Sequence, residues 1–176
     1  MLDIKENENV KNVFEEIIGP IEPCVNKIQE DQPGDYLSYK LSFTTFTTNI
    51  LYAIICQIKS INQLIVETNT SPTAKQFELP VASGSMYNEA FNRYEPGMYR
   101  KIFAYILSSC NFLGIPEVSH LGQILLIDGS FFPAISTMTW AKYKKGSNSI
   151  KMHLAYELNR MIPVQFLTTE GKYSEK

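Results

Sequence analysis

The spacing of the apolar residues changes once along the chain, and that change restricts the possible architectures. From about Asn9 to Gly114 apolar side chains recur every three or four residues, as along one face of a helix. From about Gln123 onward they fall into short strand-like runs. Helices followed by strands imply an α+β chain organised as two units. There is no internal repeat and no low-complexity tract, so neither a solenoid nor a linker is expected.

Val10, Val13, Phe14 and Ile17 share one helical face, and Gly19–Pro20 ends that helix. The acidic stretch that follows, up to Gly34, reads as a loop. Phe43, Phe46, Ile50, Ile54 and Ile58 then form the best-patterned stripe in the chain. In SINQLIVETN, Ser60 and Gln63 have the spacing at which each side chain can bond the other's unpaired backbone amide at a helix start. After a polar loop, Ser83 or Ser85 caps a short helix. Gly97 separates it from a last helix with Met98, Ile102, Ile106 and Cys110 on its inner stripe, closing at Gly114. Two short helices against a long one are compatible with a helix-turn-helix. Residues 85–94 would then enter a DNA groove, with Asn88 and Arg93 reaching bases or phosphates. A plain helical bundle with Asn88 and Arg93 on its wet face fits the same pattern, and the loop is longer than a compact motif needs.

In the second regime ILLID reads as a fully buried strand that runs into Asp128. KMHLAYEL and IPVQFLTT follow as two strands joined through Asn159. A buried carboxylate without a partner is costly, so Asp128 is expected where the strand emerges. Asp128–Gly129 either makes the turn after the strand or presents a ligand for a hard divalent cation. Lys142, Lys144, Lys145 and Lys151 lie near Asp128 in sequence, with the aromatic Trp140 and Tyr143 in the same stretch and a turn at 146–149. They suit a phosphate backbone, and equally a basic loop between strands.

Charge is asymmetric along the chain. Up to Asp35 nine acids face three lysines, whereas from Asp128 onward seven basic residues outnumber four acids. That pattern fits an anionic partner for the C-terminal part, or solvated surface. Cys24, Cys56 and Cys110 have neither disulfide nor zinc spacing and are expected to be reduced core thiols. His120 and His153 lack any metal-binding pairing, Ser130 lies in no nucleophile motif, and no glycine-rich phosphate loop occurs. The start carries no secretory pattern, and NILYAIICQI is too short to cross a bilayer, so a cytoplasmic protein without a membrane partner is expected.

Taken in order, a strand ending DGS, a basic segment, KMH, an IP restart and LTTEGKYSE resemble the opening of the catalytic domain in bacterial insertion-sequence transposases of the Asp-Asp-Glu class, in the branch related to insertion sequence four. PVASGSMYNEAFNRY resembles, more loosely, the DNA-binding region before that domain. The resemblance implies an acidic head at 1–35, a helical DNA-binding region at 36–115 and the first three strands of a ribonuclease H-like fold at 116–176. It also implies a role for Asp128 as the first of three carboxylates that hold two Mg2+ or Mn2+ ions for phosphodiester cleavage and strand transfer.

The expected partners are double-stranded DNA at element ends and a second copy or an intact transposase. In the family the second Asp and the Glu lie further along than Lys176, and Glu170 and Glu175 fall in the LTTEGKYSE match rather than in those roles. The chain is therefore expected to hold the front part of the catalytic domain and not to cut DNA alone. The alternative is a non-catalytic DNA-binding remnant that occupies element ends.

Overall fold

The computed structural model describes residues 13–33, 40–109, 114–134, 138–144 and 146–172. The chain divides into two compact units, 1–109 and 110–176. Among the described residues the first is all helical, and the second is a four-stranded antiparallel sheet with one 3-10 helix, Pro116–Leu121. The mixed α+β class expected from the change of period is therefore the class observed.

In the helical unit α1 is described over 13–18, and its end at Gly19–Pro20 is as expected. The acidic stretch after it is not a loop. It forms α2, Glu22–Glu30, with Pro23 in the first turn, where its missing N–H is not needed. Val25 and Ile28, three residues apart, bury that helix on the core. Helix α3, Phe43–Ile55, starts at Ser42, whose side chain accepts from the Thr45 amide. The apolar stripe expected on α3 holds for Phe43 and Phe46 and then shifts: Asn49 and Tyr52 are buried, while Ile54 is 66% exposed. The helix also stops before Ile58, at a left-handed Gln57.

Helix α4, Ile61–Thr70, is capped by Ser60 accepting from the Gln63 amide at 3.1 Å. The Gln63 side chain reaches back one residue further than the usual reciprocal cap and accepts from the Lys59 amide. The expected polar loop contains a short helix, α5, Pro72–Gln76. Helix α6, Gly84–Arg93, is capped by Ser83. Gly97 does not separate it from the next helix, because α7, Pro96–Ser109, begins at Pro96 and takes Gly97 into its first turn. Met98 and Ile102 face inward on α7 as expected, and Cys110 lies outside the described residues.

Aromatic rings tie these helices into one core. Phe43 packs edge-on against Tyr94 and Tyr99, Phe46 packs against Tyr87, Phe91 and Tyr94, and Phe14 contacts Tyr52 and Phe77. Phe14, Val25 and Ile28, from the acidic head, belong to this same cluster. The buried Asn49 donates to the Tyr87 hydroxyl at 2.8 Å, and the Tyr94 hydroxyl donates to the Leu41 carbonyl at 2.6 Å.

The sheet unit differs from its sequence reading in three ways. First, the strand ILLID extends into β1, Leu125–Ala134, and runs straight through Asp128 and Gly129, so Asp-Gly is neither a strand end nor a turn. Second, β1 is not fully buried: among the described residues it pairs with another strand on one side, and Leu125, Leu126, Ile127, Phe131 and Phe132 are all exposed. Third, the basic segment supplies an additional short strand, β2, Lys142–Lys144. Strands β3, Ser147–Glu157, and β4, Ile162–Glu170, form the expected hairpin, turning through Asn159. β3 pairs with β1 on one side and with β2 and β4 on the other.

The fully buried Leu64 fixes α4 on the helical core, so Leu64→Ala is expected to lower unfolding free energy by about 2–5 kcal/mol, read by urea titration. Burial raises the pKa values of the Tyr52 and Tyr87 hydroxyls above the usual phenol range and pushes that of Tyr99 up to about 12. In the unfolded chain these phenols lose their protons near pH 10, while the folded chain still holds them. Stability should therefore fall as pH rises from about 10 to about 12, and Tyr99→Phe should flatten that fall in urea midpoints.

Candidate nucleic-acid interface

The basic segment is organised by the pairing of β2 with β3. Lys142 faces Asn148 and Lys144 faces Ser147, with a bulge between the two lysines and Gly146 turning the chain at φ 79°. This places both lysines at the same end of the sheet and leaves both exposed. The Lys144 ammonium stands 5.1 Å from the centre of the Tyr143 ring. The described lining of the cleft at this end, about 390 Å³, consists of Lys142, Tyr143, Lys144, Gly146, Ser147, Asn148 and Lys172. Three lysines and no acidic residue are therefore among its described lining.

Lys172 joins through the backbone. β4 ends at Glu170, the Gly171 amide donates to the Ser149 carbonyl at 2.8 Å, and the Lys172 amide donates to the Lys142 carbonyl at 3.1 Å. The sequence reading did not assign Lys172 to the site. Its signal was the strand–Gly–Lys order, which becomes informative only once β4 is known to run back beside β2.

The other basic residues singled out in the sequence do not gather here. Lys151 is buried in the middle of β3, with its ammonium 5.3 Å from the Phe131 ring, and does not line the cleft. Lys145 lies outside the described residues. Trp140 is exposed.

Asp128 sits on exposed β1, directly opposite Leu154, which in turn faces Phe166. Of the other acids in the strands, Glu170 is remote from Asp128 and Glu157 is on the other face. Glu170 faces Ile150. That puts it four residues along and two strands across from Asp128, or about 13 Å by about 10 Å. Glu157 is three positions from Leu154, hence on the opposite face, where it accepts from Gln123 and approaches Arg160 at 3.6 Å. No group of three His, Cys, Asp or Glu able to hold a metal ion occurs among the described residues. The donor set around Asp128 thus does not fit the two-ion site that the transposase resemblance implies. His153 instead shares a hydrogen bond with the Thr169 hydroxyl at 3.1 Å.

On α6, Asn88 and Arg93 are not presented together. Five helical residues separate their directions by about 140°. Asn88 is exposed, whereas the Arg93 side chain is only 13% exposed, 3.6 Å from the Glu89 carboxylate and over the Tyr94 ring. The bundle reading puts Arg93 on the wet face, whereas its guanidinium is largely covered, lying over the Tyr94 ring. α4 and α6 are also not joined by a short turn, since α5 lies between them.

No family model, curated protein or solved structure matches the chain. No helix among the described residues is long and apolar enough to cross a membrane.

Because the described residues bring no carboxylate cluster together, divalent cations should not stabilise the fold specifically. Adding Mg2+ or Mn2+ at millimolar concentration should leave the melting temperature unchanged. A cation-dependent rise in Tm that disappears in Asp128→Ala would count against this assignment of the donors.

Proposed function

We propose that this chain binds double-stranded DNA as part of a transposase-type protein, and that its own contribution is backbone binding rather than cleavage. The observation that carries the reading is the cleft at the β2–β3 end, with Lys142 and Lys144 among its lining and no described acid there. Cations that neutralise phosphates release condensed counterions from the duplex, which gives sequence-independent attraction that weakens steeply with salt. The net charge of the chain is −2, so such attraction has to come from a local cluster and not from overall charge.

The order of motifs supplies the setting. A strand carrying Asp128, a basic segment and a strand hairpin suit the front of a ribonuclease H-like domain that acts in DNA transposition and recombination. In that setting the chain works in the cytoplasm on element ends, beside another copy or an intact transposase. Mg2+ or Mn2+ chemistry at Asp128 would require carboxylates that the described residues do not bring to it.

The test is duplex affinity across a salt series. Lys142→Ala with Lys144→Ala is expected to make the slope of log K against log salt shallower by about 1.8, at roughly 0.9 per phosphate contact. Wild-type affinity that does not change with salt would reject DNA binding at this site.

A further inference from the structure

The cleft has a feature that the basic run does not explain: its third cation comes from a different strand. Lys172 follows β4, and it stands at the cleft because the chain after Glu170 tucks against β2 and β3. Gly171 makes that approach possible. A Cβ placed there would lie 2.9 Å from the Tyr143 ring and 3.0 Å from both the Cβ and the carbonyl oxygen of Ser149. Two of these three neighbours cannot simply swing aside, since one is a ring held against Phe131 at 5.5 Å and the other is backbone in the middle of the sheet. The Gly171 and Lys172 amides then donate to the Ser149 and Lys142 carbonyls.

We propose that Gly171 is a positioning residue that locks Lys172 beside Lys142 and Lys144, and that the three ammonium groups form one site for the phosphate backbone of duplex DNA. The inference rests on the DNA reading above and adds a residue, a mechanism of placement and a mode of recognition. Because the Tyr143 ring is packed against Phe131, with the Lys144 ammonium over it, it is not free to stack on an opened base. The remaining polar side chains at the cleft, Ser147 and Asn148, lie beside the lysines at the tip of the hairpin. The site therefore grips phosphates and is indifferent to sequence.

The experiment uses the full chain and a mixed-sequence duplex, with affinity measured over a salt series for wild type, Lys172→Ala, Lys172→Arg and Gly171→Ala. Lys172→Ala is expected to make the log–log slope shallower by about 0.9, Lys172→Arg to restore it, and Gly171→Ala to reproduce the loss with Lys172 still present. Scrambling the duplex should change none of these values. If Lys172→Ala leaves the slope unchanged while Lys142→Ala reduces it, Lys172 is not part of the site and the inference fails, although DNA binding stands. If wild type itself shows no salt-dependent binding, both fail together. Should Gly171→Ala unfold by circular dichroism, the contrast between Lys172→Ala and Lys172→Arg still decides whether the charge belongs to the site.

Discussion

Ser149 sits in β3 with all three of its polar groups engaged in different segments. Its amide donates to the Ala141 carbonyl, its carbonyl accepts from Gly171, and its hydroxyl donates to the Phe132 carbonyl at 3.1 Å. One buried residue thus connects β1, the approach to β2 and the exit from β4. β3 itself is paired on both sides, so all of these connections converge on the strand least able to move. The cleft depends on that arrangement. Lys142 and Lys172 come from segments about thirty residues apart, and they meet because each is hydrogen-bonded within this frame.

The two units are stabilised in different ways. The helical unit has a closed core of rings and aliphatic side chains, centred on Phe43, Phe46 and Tyr52 of α3. Its buried polar Asn49 is oriented by Tyr87, which adds directionality to packing that is otherwise non-directional. In the sheet unit Ala141 and Ile162 are the buried hydrophobic residues among those described, while β1 exposes five large apolar side chains. Burial contributes little there, and strand pairing contributes most of the order. Backbone pairing is also what sets the positions of cations and carboxylates, so the chemistry of this unit can be read from register alone.

Register also explains what was legible in the sequence. The period change identified the class, and Ser60, Ser83 and Gly19–Pro20 marked helix limits because caps and breakers act locally. The hairpin through Asn159 was legible for the same reason. What failed depended on neighbours in space. α2 was concealed by its acidic surface, although Val25 and Ile28 had helical spacing. β1 looked buried because a run of apolar residues does not say whether anything covers it. The four lysines looked like one cluster because they are close in sequence, yet strand pairing separates Lys151 from the cleft and brings in Lys172 from a distance.

Asp128 shows how far a motif can be carried without its surroundings. A carboxylate becomes a site for a hard divalent cation when other oxygen donors share it, because the cation's charge then offsets their mutual repulsion. Here the opposite neighbour is Leu154, the next across is Phe166, and Glu157 points to the other face. An exposed acid among apolar neighbours on a strand paired on one side has a simpler physical consequence: its charge discourages a second chain from adding along that edge. Pro133, further along β1, acts in the same direction by withholding an N–H from the strand. The residue that most suggests catalysis in the sequence thus stands, among the described residues, on an exposed strand opposite Leu154. The lysines gather instead at the far end of the same hydrogen-bonded frame, where Lys142, Lys144 and Lys172 line one cleft.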